Sequence, residues 1–180
     1  MKTRTVTLAN GETFTVPQGI QRLDSKSTKG WQVRYQGTKY FPDGTAGARK
    51  ALQAATRELL HRIATLPAPV VLKRAPSPRK TSDLPAGISG PLLVSKNQGA
   101  SQSAVLAVLV PRFGRNNELK RVHIGTPRTY TKARFRAALA KAKEIRAEGL
   151  ARYEADATKA KRKAAIAMKK VLRESAASAA

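Results

Sequence analysis

Apolar and polar residues alternate along residues 3–8 and again along 12–16, and the two runs flank Ala9-Asn10-Gly11. A two-residue period about an Asn-Gly step predicts a β-hairpin, since each strand then has one apolar face and Asn-Gly accepts the left-handed turn that joins them. A new segment opens at Pro17-Gln18-Gly19-Ile20. Alternation resumes in Trp31-Gln32-Val33-Arg34-Tyr35, Gln36-Gly37 can turn the chain, and residues 38–41 can pair back, which predicts a small antiparallel sheet. From Gly47 the period changes. Ala48, Ala51, Leu52, Ala55, Leu59 and Ile63 recur at helical spacing and can cover one face of that sheet, leaving the other free.

Between residues 66 and 85 stand Pro67, Pro69, Pro76, Pro78 and Pro85, interspersed with Lys73, Arg74, Arg79 and Lys80. Proline and mutually repelling charge keep such a segment extended, so it reads as a linker, with Val70-Val71-Leu72 able to add a short edge strand. Pro85-Ala86-Gly87-Ile88 then repeats the earlier Pro17-Gln18-Gly19-Ile20 and starts a second unit. Residues 103–110 and 118–125 flank Pro111-Arg112-Phe113-Gly114-Arg115-Asn116-Asn117, the pattern of a hairpin with a basic tip. Thr131 is placed to cap a helix whose buried stripe is Phe135, Ala138, Leu139, Ala142 and Ile145. Beyond Gly149 helical propensity stays high through Arg173. The expected class is α+β, with two small modules, each a three-stranded antiparallel sheet backed by one helix, plus an N-terminal β-hairpin and a basic C-terminal helix. The expected boundaries are 1–16 for the hairpin, 17–66 for the first module, 67–84 for the linker, 85–150 for the second module and 151–180 for the helical tail.

Charge narrows the partner. The 180 residues carry 35 Lys and Arg against 11 Asp and Glu, a formal net charge of +24. Self-repulsion on this scale opposes compaction and is offset when a polyanion binds, so nucleic acid is the first partner to consider. A membrane is the rival anion, but the longest apolar run, residues 104–110, is far shorter than the roughly 20 residues needed to span a bilayer. No charged start followed by a long apolar stretch succeeds Met1, so a cytoplasmic, nucleoid-associated protein is expected. The chain has no cysteine, which excludes disulfides, thiol catalysis and cysteine-based zinc sites. His61 and His123, the two histidines, fall in different modules without clustered carboxylates, and no phosphate-cradling glycine loop occurs. No metal, no cofactor and no catalysis are expected.

Gly-apolar in a first strand, Trp31-Gln32-Val33-Arg34-Tyr35 in a second, and Arg121-Val122-His123-Ile124-Gly125-Thr126 in a third, followed by an alanine-rich helix, resemble the plant Apetala-type, ethylene-response-factor DNA-binding domain. That family is related to the three-stranded domains at the start of some phage and transposon integrases. The resemblance covers roughly residues 17–66 and 85–150. It implies a sheet that enters the major groove of DNA with its helix behind. Carried over, it places Arg121 and His123 toward the groove in the second module. In the first it makes Trp31 a core residue and puts Gln32, Arg34 and Gln36 on the DNA side, as alternation does independently. Trp31 stacking on an unpaired base is the less favoured alternative. Lys39 and Tyr40 are both candidates on the third strand, and the first strand supplies Gln21 and Arg22 in a register left open, since a slip of one residue exchanges faces.

The apolar strand at 104–110 offers no polar face. It is either buried on both sides, against a partner chain or a second copy meeting residues 105–110, or its module binds through Arg112, Arg115, Lys120, Arg121 and His123. The basic linker and tail, Lys73, Arg74, Arg79, Lys80, Lys159, Lys161, Arg162, Lys163, Lys169 and Lys170, are expected to hold phosphates, and the C-terminal helix is a second place for a partner. The expected function is non-enzymatic binding of double-stranded DNA by a regulator or architectural protein of a bacterium, phage or mobile element. RNA or ribosome binding, and inhibition of a protein through its acidic surface, are the alternatives.

Overall fold

The computed structural model describes residues 2–95 and 102–177, which form two compact units. The first comprises residues up to Pro69 together with those from Ala157 onward; the second runs from Val70 to Asp156.

In the first unit, β1 (Thr3–Thr7) and β2 (Thr13–Pro17) form the predicted hairpin, with Thr5 opposite Thr15. Strands β3 (Ile20–Asp24), β4 (Lys29–Arg34) and β5 (Thr38–Pro42) make an antiparallel sheet in that order. Helix α1 (Gly47–Thr65) buries Ala51, Leu52, Ala55, Leu59 and Ile63 against Trp31 and Val33. Trp31 is fully buried; its indole N–H donates to Ala48 O at 2.9 Å and its ring meets Phe14 edge-on, centroids 5.9 Å apart. Phe14 and Val16 belong to this same core. The hairpin therefore completes the first module instead of standing apart from it at residue 16, because a three-stranded sheet and one helix leave the Trp31 edge uncovered.

In the second unit, β6 (Ile88–Val94), β7 (Ser103–Val110) and β8 (Glu118–Gly125) again form an antiparallel sheet in chain order. Leu106, Val108, Val122 and Ile124 pack on Ala138 and Ala142 of helix α2 (Lys132–Ala177). Thr131 caps this helix, its Oγ1 accepting from Arg134 N at 3.2 Å. Gly149 falls inside it, where the helix meets β7 closely enough that a Cβ would stand 2.5 Å from Val110 Cγ1.

The tail is not a separate element. Helix α2 continues through it, and from residue 157 it belongs to the first unit, where Ala165 enters the core beside Trp31. Thr158 Oγ1 accepts from Ala68 N at 3.0 Å and Arg162 Nε donates to Ile63 O at 3.4 Å. The linker is held as well. Ala68 is buried in the first unit, and Pro67 O accepts from the Tyr35 hydroxyl. In the second unit Lys73 O accepts from Arg146 and Arg74 pairs with Glu154. Residues 70–72 form no strand.

Candidate nucleic-acid interface

Strand pairing assigns each side chain to a face. In the first sheet Trp31 and Val33 point to the helix, so their row partners Arg22, Phe41, Ile20 and Lys39 do too. The opposite face carries Gln21, Gln32 and Tyr40 in one row and Arg34 beside Thr38 in another. Gln21 and Gln32 are partly exposed and Arg34 and Tyr40 exposed. Gln32 Oε1 accepts from Arg34 Nε at 2.7 Å, which fixes one edge of an exposed guanidinium. Tyr40 lies across Gly30, where a Cβ would come within 2.7 Å of its ring, and its hydroxyl donates to Lys29 O. Gln36 adopts a positive φ of 49° in the β4–β5 turn and donates to Pro67 O at 3.4 Å.

Two of the candidates change sides. Arg22 lies over the Trp31 ring at 5.2 Å and donates twice to Asp43, at 2.8 and 2.7 Å. Hydrogen bonding to Asp43 holds its pKa above the ordinary arginine value, against the opposing effect of burial. Lys39 pairs with Glu58 at 3.1 Å, and Glu58 also accepts from Arg62 at 2.8 Å. These bonds, that from Arg62 first, keep the Glu58 carboxyl below the usual carboxylate range. Both cations serve the helix side, so the side of β3 and β5 turned from the helix carries Gln21 and Tyr40.

A cavity of ≈ 410 Å³ adjoins the open face, sharing Gln21 and Arg34 with it and adding Lys2, Arg4 and Gln18. No carboxylate lines it. The sequence reading missed Lys2, Arg4 and Gln18, because it set the hairpin aside as an accessory; the signal available was the cation in alternation on its first strand.

In the second sheet, Arg121 sits beside Ala107 and Ser89, and His123 beside Val105 and Leu92, on the face turned from the helix. Lys120 shares a row with the buried Val108 and so has helix-side parity, although it is exposed at the edge strand. Arg112 pairs with Glu118 at 2.8 Å, and Arg115 is exposed on the turn. Strand β7 is central, paired along both edges, and Ala104 to Val108 are buried within the chain. It thus offers no edge and little surface to a partner; the exposed large apolar side chains among the described residues of this sheet are Leu109 and, on its neighbours, Leu92, Leu93 and Leu119.

Lys80 donates to the carbonyls of Leu84, Pro85 and Ile88, each at 2.7 Å, and so braces the start of β6 rather than reaching outward. Arg79, Lys159, Lys163 and Lys169 are exposed, Lys161 is half-buried, and Lys170 lies on an exposed stretch of α2. Among the described residues no group of three or more His, Cys, Asp or Glu side chains is placed to hold a metal, and no helix is long and apolar enough to cross a membrane. No protein family, curated protein or solved structure matches the chain.

Proposed function

We propose that this is a non-enzymatic double-stranded DNA-binding protein, a regulator or architectural protein of a bacterium, phage or mobile element, acting at the nucleoid. The observation that carries the reading is the helix-free face of the first sheet. Gln21, Gln32, Arg34 and Tyr40 project from it, and it runs into a carboxylate-free cavity bearing Lys2 and Arg4. Three strands about 4.8 Å apart span about 10 Å, and the major groove is about 12 Å wide, so such a sheet fits with its side chains at the base edges. Arg34, anchored through Nε, presents the two-pronged donor that suits guanine O6 and N7, while Gln32 and Gln21 have the amide chemistry that suits adenine. Lys2, Arg4 and the exposed lysines of α2 take phosphates, which set orientation and affinity without reading sequence.

Selection of bound duplexes from a random pool, followed by competition with structured RNA at fixed salt, tests this. A recovered DNA motif is expected. Arg34→Ala should lower affinity for it by about 1–3 kcal/mol and relax one position, with thermal stability unchanged. Preference for RNA, or equal binding of all sequences by wild type and variant, overturns the reading.

A further inference from the structure

The second unit contains a cavity of ≈ 800 Å³ that the sheet faces do not use. It lies where the β7–β8 turn meets helix α2, and its polar lining is Lys73, Arg112, Arg115, Asn116, Asn117 and Arg146, with no carboxylate among the lining residues. Arg112 is engaged by Glu118, whereas Lys73 and Arg115 form no ion pair among the described residues.

Arg146 sets the site apart. It is the buried charged residue among those described, with 9% of its surface exposed, and it forms no ion pair among the described residues. Its guanidinium lies against Gly87, where a Cβ would stand 2.7 Å from Cζ, and it donates from Nη1 to Leu109 O and from Nη2 to Lys73 O. Nε has no acceptor. Carbonyl groups satisfy two donors but leave the charge uncompensated, and burial accordingly pulls the arginine pKa below its ordinary value. A buried guanidinium without a counterion is costly unless an anion completes it. Its planar fork, and those of the arginines at the rim, match phosphate geometry.

We propose that this cavity is a phosphate site, taking the phosphate of a nucleotide, with Arg146 beneath it and Lys73 and Arg115 closing over it. Tyr153 and the apolar side chains of Leu72, Leu109 and Pro111 line the rest, and the volume falls within the roughly 300–1,000 Å³ of small-molecule sites, enough for a base beside the phosphate. The phosphate can come from a free nucleotide or from the end of a nucleic-acid strand. The inference stands apart from groove reading by the first sheet, which uses other residues.

The test is NMR titration of the full chain at about 0.15 M salt, where long-range attraction to exposed lysines is screened. The probes are inorganic phosphate, a nucleoside monophosphate, its nucleoside, and a dinucleotide with and without a 5′-phosphate. The expected result is saturable movement of the Arg146 Nε–H, Asn116 and Asn117 amide and Tyr153 ring signals with the phosphorylated probes alone. Tighter binding of the monophosphate than of the phosphorylated dinucleotide identifies a free nucleotide, and the reverse order a strand end. Lys73→Gln with Arg115→Gln, both at exposed positions, should weaken binding at least tenfold, while Lys50→Gln, at an exposed position of α1, leaves it unchanged. Arg146→Lys keeps the charge and loses the fork, and should weaken the monophosphate more than inorganic phosphate. Unchanged binding in the Lys73/Arg115 variant, an equal response to the bare nucleoside, or shifts spread over all lysine-bearing surfaces overturns the proposal.

Discussion

Arg22 and Lys39 carry the same charge as Arg34 yet lie on the helix side of the first sheet, because a strand alternates its side chains and parity decides which side a cation faces. Around Trp31 that parity was legible in the sequence, since Trp31-Gln32-Val33-Arg34 alternates cleanly. On β3 and β5 it was not: Gln21-Arg22 and Lys39-Tyr40 are adjacent pairs of polar or amphipathic residues, and only cross-strand register separates them. Partners far off in sequence decide the rest. Asp43 claims Arg22, and Glu58 claims Lys39. The Glu58 arrangement has a pH signature. Its carboxyl lies below its ordinary value of 4.5 when folded, so its contribution is fully present above that value and is lost as pH falls through the lower, folded one. Urea midpoints compared at about pH 6 and about pH 3 should drop further for the wild type than for Glu58→Gln, and equal drops would deny the ion pairs any role in stability.

At the scale of elements, the hairpin, β4, β5 and both helices follow from the change of period from two to 3.6 residues, β7 and β8 from the turn between them, and Thr131 was readable as a cap, whereas β3 and β6 carry no alternation of their own. The continuity of α2 was harder to see. Gly149 costs a helix interior about 1 kcal/mol against alanine and reads as a boundary. Its presence has a packing reason, the approach of the helix to Val110. A stiff β-branched neighbour cannot yield easily, so Gly149→Ala should reverse the usual gain and destabilise the second unit by about 1–3 kcal/mol. Chemical denaturation followed by the Tyr153 ring signal measures it; a stabilised variant would show that Val110 moves aside at little cost.

Taken as a whole molecule, the chain was legible as two units on a basic background, from the repeated Pro-x-Gly-Ile openings and the proline-rich stretch between them. Its closure was not. Composition marks residues 151–180 as a basic tail because lysines and alanines dominate, and nothing local reveals that Ala165 meets the core around Trp31. That contact can be checked with the single tryptophan, which reports on the first unit alone. Ala165→Glu keeps helix propensity but buries a charge, and should lower the Trp31-detected stability by about 2 kcal/mol or more, whereas Ala167→Glu, on an exposed position, should change it little. Equal effects would place the helix outside that core. The division of the first unit into two stretches of chain also sets an order of assembly on the ribosome. Its sheet and α1 emerge first but cannot be sealed until the second unit has been made. At about 5–20 residues per second the intervening stretch of about ninety residues imposes a wait of roughly 5–20 s. For that interval the core around Trp31 lacks Ala165, the residue that α2 adds to it.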